Sequence, residues 1–154
     1  MIKMIVCSFY NTLINQEDAI PATTMLEIER IRKKGILFVV ATNRTYQEVL
    51  EYNKDFPFVD YIISLNGSYL YDVGKEKACY KKKMTVSSIQ KITKILKNEK
   101  VIYYTENKIS SNLDEIKDEN IYKIEVELSE EMQEEMEEIK KIKVNTSILK
   151  KDNK

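Results

Sequence analysis

The chain has 154 residues, 43% of them hydrophobic and 32% charged, enough apolar material for one core with a small appendage and too much for wholesale disorder. Its 25 basic residues balance its 25 acidic ones, which removes any general pull toward nucleic acid or an anionic membrane and leaves little charge repulsion against self-association. There is no histidine, so Ser-His and Cys-His nucleophile pairs and His-ligated metals are excluded, and any chemistry falls to carboxylates, Lys, Tyr, Ser, Thr or Cys.

In chain order, Ile2 to Cys7 is an apolar run broken only by Lys3 and reads as a buried strand. Ser8 to Glu17 is polar and loop-like. Pro21 opens a helical pattern with Met25, Ile28 and Ile31 on one face. Gly35 ends it in the left-handed position that glycine favours. Ile36 to Ala41 (ILFVVA) is a continuous apolar strand, as in a parallel sheet covered on both faces. Thr45 to Lys54 reads as a helix, with Thr45 and Glu48 spaced as a capping box. Tyr61 to Leu65 is a third apolar strand. Strand, helix, strand, helix, strand with short loops predicts an α/β fold with right-handed crossovers. Ser68 to Tyr71 and Ala78 to Lys83 flank Asp72-Val73-Gly74-Lys75 as a hairpin.

After Met84 the texture changes. Val86 to Leu96 is an amphipathic helix and Val101 to Thr105 a Tyr-rich strand. Glu106 to Asn120 reads as a loop, and Ile121 to Leu128 as a half-exposed strand. Ser129 is placed as the cap of a helix running to about Ile139. Ile142 to Leu149 reads as a last strand, with a frayed tail over 150–154. The division expected is a core over 1–83 and a smaller α+β segment over 84–149. Cys7 and Cys79 form no CxxC and follow no signal peptide, which points to a reduced, cytoplasmic setting. No apolar run approaches the about 18 residues that a membrane helix needs.

Three segments carry a resemblance. IVCSFYNTLIN (Ile5 to Asn15) is similar to a strand followed by Asp-x-Asp-Gly-Thr-Leu. GILFVVATNRTYQEVL (Gly35 to Leu50) is similar to a strand ending in Ala-Thr-Gly-Arg. YIISLNGSYLYD (Tyr61 to Asp72) is similar to a strand ending in Asn-Gly that enters a hairpin. Together they resemble the Cof-type branch of the haloacid dehalogenase (HAD)-like hydrolases over most of residues 1–83. A weaker likeness in YKIEVELSEE (Tyr122 to Glu131) matches part of that branch's cap. The resemblance implies a three-layer, Rossmann-like parallel sheet with a reduced cap. It also implies a phosphatase site where Ser8, Thr42 and Asn66 converge at the carboxyl ends of the strands, the usual ligand position in such sheets.

The departures fall on the chemistry. The family's nucleophile and its acid/base are both aspartates, and the aligned positions here are Ser8 and Tyr10, with Asn11 in place of the motif Gly. The family uses Mg²⁺, and losing both carboxylates removes the hard oxygen ligands that this ion prefers; no metal or cofactor is expected. No Lys and Gly-Asp-x-x-x-Asp element follows residue 84; YYTENKISSN (Tyr103 to Asn112) echoes it only faintly. What the resemblance leaves is a phosphate cradle of Thr42, Asn43, Arg44 and Asn66, with N–H groups at the head of the next helix.

Plainer readings stand beside these. Ser8 and Tyr10 also read as loop residues without a role, and Tyr10 as a ring filling the emptied pocket. Thr42 reads equally as a strand-end cap, Cys7 as a core residue, the Lys-rich hairpin as a solvated edge, and Glu130 to Glu138 as the outer face of an amphipathic helix. Two strands that the family places beside the first one have no counterpart here, which makes Ile2 to Cys7 a sheet edge open to the last strand, a second copy or a partner chain. The leading expectation is a catalytically inactive relative that binds a small phosphorylated ligand or a protein. The alternatives are a weak Mg²⁺-dependent hydrolase of small phosphate esters and one half of a split or decayed hydrolase.

Overall fold

The computed structural model describes residues 1–97, 99–127, 129, 132–142 and 144. The chain divides into two compact units, Met1–Lys82 and Lys83–Lys154.

In the first unit, β1 (Met4–Ser8) runs parallel to β2 (Leu37–Ala41), and β2 runs parallel to β3 (Tyr61–Ser64). β4 (Tyr69–Asp72) and β5 (Lys77–Lys81) complete a mixed sheet in the order β1-β2-β3-β4-β5. Helix α1 (Ala22–Lys33) joins the first two strands and α2 (Tyr46–Asn53) the next two. The sequence explains their limits. Pro21 stands at the N-cap of α1, one residue earlier than the pattern suggested, and Gly35 follows its end at φ +75°. Both halves of the Thr45–Glu48 capping box on α2 are present.

Right-handed crossovers between strands that follow one another in sheet order put both helices on the same face. Ile28 of α1 and Val49 of α2 accordingly share one buried cluster with Phe38, Val40 and Ile62. The register aligns Ile5 with Phe38 and Cys7 with Val40, so these also face the helices. The sheet with its helices is the α/β fold expected from the sequence, and the two helices described in this unit pack on one of its faces. The opposite face carries Met4, Val6, Leu37, Val39, Tyr61 and Ile63, outside that cluster. For the same reason β1 is not the buried strand that its composition suggests. It lies at the edge, and none of its five residues is buried.

At the far side of the sheet, the turn between β4 and β5 hangs on Asp72, 5% exposed. Its Oδ1 accepts from the Lys75 N–H and its Oδ2 from Lys75 Nζ, each at 3.0 Å. The Lys75 hydrogen bond holds the carboxyl below its ordinary value of 3.8, against the burial that opposes it. A carboxyl lowered on folding stabilises fully above its unfolded range and loses that contribution as pH falls through the folded value. Asp72→Asn is expected to lower the melting temperature at pH 7, with the gap to the unsubstituted chain closing below about pH 4. A gap that stays constant through acid would show that the charge contributes nothing.

The second unit holds α3 (Val86–Ile95), β6 (Val101–Tyr104), β7 (Ile109–Ser110), β8 (Lys123–Val126) and α4 (Gln133–Lys140), with a sheet in the order β7-β6-β8. Thr85 caps α3 by accepting from the Ser88 N–H. Two expectations are corrected here. Residues 106–120 are not simply a loop: they contain β7 and a tight helical turn, Leu113–Ile116, because Ile116 is needed in the core at 1% exposure. Ser129 does not cap α4, which starts at Gln133 with Met132 at the N-cap; the Ser129 carbonyl instead accepts from the Met132 N–H. The last strand expected over 142–149 lies mostly outside the described residues. Of it, Ile142 and Val144 pack against the second core cluster. No helix among the described residues is long and apolar enough to cross a membrane.

Candidate functional site at the carboxyl ends of the parallel strands

The ends of β1, β2 and β3 are brought level by their register, Ser8 opposite Ala41 and Ala41 opposite Ile63. The chain leaves β1 into a wide turn, Phe9–Leu13, closed by the Ile14 N–H donating to the Phe9 carbonyl at 3.0 Å. Phe9, Leu13 and Ile14 are buried, and Asn11 takes the left-handed conformation at φ 62°. The loop is thus anchored from inside, and its polar residues are turned outward. Asn66 likewise sits at φ 56° beyond β3, a conformation that asparagine tolerates.

Five of the six candidate residues form one chain of contacts. The Ser8 hydroxyl donates to the Tyr10 carbonyl at 3.1 Å. The Arg44 guanidinium stands over the Tyr10 ring, 4.5 Å from its centre. The Arg44 N–H donates to Thr42 Oγ1 at 3.1 Å, and the Asn66 N–H reaches the Thr42 carbonyl at 3.4 Å. Asn43 lies in the same turn, between Thr42 and Arg44. The Leu65 N–H to Arg44 carbonyl bond, 3.0 Å, ties this turn to the exit of β3. Tyr10 is therefore more than a loop residue: its ring packs edge-on against Phe9 (5.0 Å) and supports Arg44.

The donors at the head of α2 are largely consumed. Glu48 Oε2 accepts from the Thr45 N–H at 2.9 Å, Thr45 Oγ1 accepts from the Glu48 N–H, and Glu48 Oε1 pairs with Arg44 Nη1 at 3.1 Å. A carboxylate of the chain itself thus already complements the helix dipole there. What remains for a ligand is the Thr42 hydroxyl proton, which has no acceptor among the described residues, beside the positive charge of Arg44.

Sequence reasoning missed the support behind the loop. Tyr52 packs edge-on against Phe9 at 5.1 Å. Burial pushes its hydroxyl up to about 12, helped by a hydrogen bond to Asp18 and the proximity of Tyr10. The Arg44–Glu48 pair was legible as an i,i+4 spacing; the Tyr10–Tyr52–Asp18 cluster had no local signal. Cys7 is part-buried, and burial pushes its thiol up, which makes it less reactive.

Magnesium binds hard, mostly charged oxygens. The loop after β1 offers a serine hydroxyl already donating to a carbonyl, with neutral Asn11 and Thr12 beside it. Among the described residues no three carboxylates or cysteines stand together as a metal site. The residues present do not fit the ion.

Comparison with known proteins bears on the family and the fold. Residues 5–154 match the sequence profile of the haloacid dehalogenase-like hydrolases. A provisionally named phosphatase of Buchnera aphidicola subsp. Baizongia pistaciae is 35% identical over 65 residues, which are 42% of this chain and 24% of that protein. Among solved structures, a protein of Streptococcus mutans UA159 superposes with a TM-score of 0.74 at 16% identity, over 93% of this chain and 64% of that one. A HAD-like hydrolase of B. subtilis does so with a TM-score of 0.64 at 20% identity, over 70% of this chain and 38% of that one. The chain therefore spans well under two thirds of several of its relatives, and it belongs to the haloacid dehalogenase-like hydrolases.

Proposed function

We propose that this chain is a non-hydrolysing member of the family that binds a small phosphate-bearing ligand between Thr42 and Arg44. The supporting observation is the division of the site. The turn after β2 sets the Thr42 hydroxyl beside the positive charge of Arg44, while the loop after β1 presents Ser8 and Tyr10 where two carboxylates would act. Binding a phosphate needs donors. Transferring one needs a nucleophile and compensation for the charge of the transition state. Serine serves as a nucleophile only beside a base. The Ser8 proton lies on a backbone carbonyl, and an amide oxygen is too weak a base to take it at neutral pH.

A structural relative is a sugar phosphatase of HAD subclass IIB, which makes sugar phosphates, with inorganic phosphate, the first probes. Calorimetric titration is expected to show saturable binding that Mg²⁺ does not alter. Arg44→Ala removes a charge-assisted contact of about 1.5–3 kcal/mol and should weaken binding at least about tenfold. Thr42→Val should weaken it less. If neither probe gives saturable heat or thermal stabilisation, this reading fails.

A further inference from the structure

We propose that β1 is the contact edge of a homodimer, in which two copies of the first unit join their sheets antiparallel across Val6. The Leu37 N–H donates to the Lys3 carbonyl. In a parallel ladder alternate residues bond one neighbour, so Lys3, Ile5 and Cys7 serve β2. Met4, Val6 and Ser8 therefore turn their N–H and C=O groups to the outside, the Ser8 carbonyl also accepting from Cys7 Sγ at 3.3 Å.

The two edges of this sheet are built differently. β5 carries Lys77 and Lys81, and its register slips between Leu70 and Tyr71; charge and irregularity both discourage pairing. β1 has no charged residue, no proline and no register shift over Met4–Ser8. Its outer residues are apolar and open: Met4 is 49% exposed and Val6 53%, and Leu37 beside them is 38% exposed.

A second copy fits this edge better than a charged partner does. Centred on Val6, antiparallel pairing sets Val6 against the second copy's Val6 and Met4 against its Ser8. These are the very residues with outward backbone groups, so each pair exchanges two hydrogen bonds. Lys3 falls outside the paired segment, and no like charges meet. The net charge of zero adds no long-range repulsion. A two-fold axis normal to the sheet keeps the helices of both copies on one side, and the contact closes at two.

Sedimentation of the full chain should give twice the mass of one chain. Val6→Lys and Val6→Glu, at an exposed position, should each sediment as monomers with unchanged circular dichroism. Mixed one to one, they should re-form a dimer, because residue 6 faces itself across the axis. A monomeric parent chain, a dimer indifferent to Val6→Lys, a failure of the mixture to re-associate, or open-ended oligomers would each overturn the proposal. Loss of ligand binding at Thr42 and Arg44 leaves it untouched.

Discussion

Phe9→Ala is expected to lower stability by about 3–5 kcal/mol, the range for truncating a fully buried aromatic. Phe9 is 0% exposed and belongs to the main core cluster. Its ring meets Tyr10 at 5.0 Å and Tyr52 at 5.1 Å, both edge-on, the favoured arrangement for aromatic pairs. It also begins the wide turn whose Ile14 N–H to Phe9 carbonyl bond shapes the loop. The cavity would open beneath Tyr10, which supports Arg44, so ligand binding should weaken along with the fold. Tyr10→Phe keeps the ring and the cation contact, loses only the hydroxyl that faces Tyr52, and should cost far less, about 1 kcal/mol. Urea denaturation read by circular dichroism measures both: a fall in midpoint at constant slope for Phe9→Ala is the expected result. A loss below about 1 kcal/mol would mean that the loop is not anchored through this ring.

That anchor was hidden in the sequence. Residues 8–17 read as polar because Ser8, Asn11, Thr12, Asn15, Gln16 and Glu17 dominate them. Three large apolar residues lie among these, and the left-handed Asn11 turns Phe9 and Leu13 to the same side. Neither helical nor strand periodicity describes such a turn. The elements with regular periods were legible: ILFVVA as β2, the Thr45–Glu48 box as the start of α2, and Asn-Gly after β3. The convergence of Ser8, Thr42 and Asn66 was legible too, because a parallel sheet brings its strand ends to one side. The Tyr10–Arg44 contact spans 34 positions and depends on how the loop folds back, which no local pattern encodes.

β1 shows the difference between what composition and topology decide. An apolar run says that a strand pairs; it does not say on how many sides. Strand order settles that, and here the order ends at β1. The same order, with right-handed crossovers, is enough to place α1 and α2 on one face. The exposed Met4 and Val6 follow from the same fact.

The second large effect concerns turnover. With Mg²⁺ and p-nitrophenyl phosphate, the chain is expected to hydrolyse at least about 10³-fold more slowly than a relative with both carboxylates, a loss of about 4 kcal/mol in transition-state stabilisation. Both absent groups act on the same charge. An aspartate at position 8 would attack without first losing a proton and would hold the metal that neutralises the phosphoryl oxygens. Ser8 does neither, and its proton is given to the Tyr10 carbonyl. An aspartate at position 10 would shuttle the leaving-group proton; the Tyr10 ring instead lies under a guanidinium, a setting that provides no general base. Any residual rate should therefore survive Ser8→Ala and the removal of divalent ions with chelator. Ser8→Asp alone should not restore turnover, because position 10 still lacks a proton carrier. Mg²⁺-dependent hydrolysis that Ser8→Ala abolishes would instead make the chain a weak phosphatase. Ser8 would then need a base that approaches only when substrate is bound, and a desolvated lysine would be the side chain to seek.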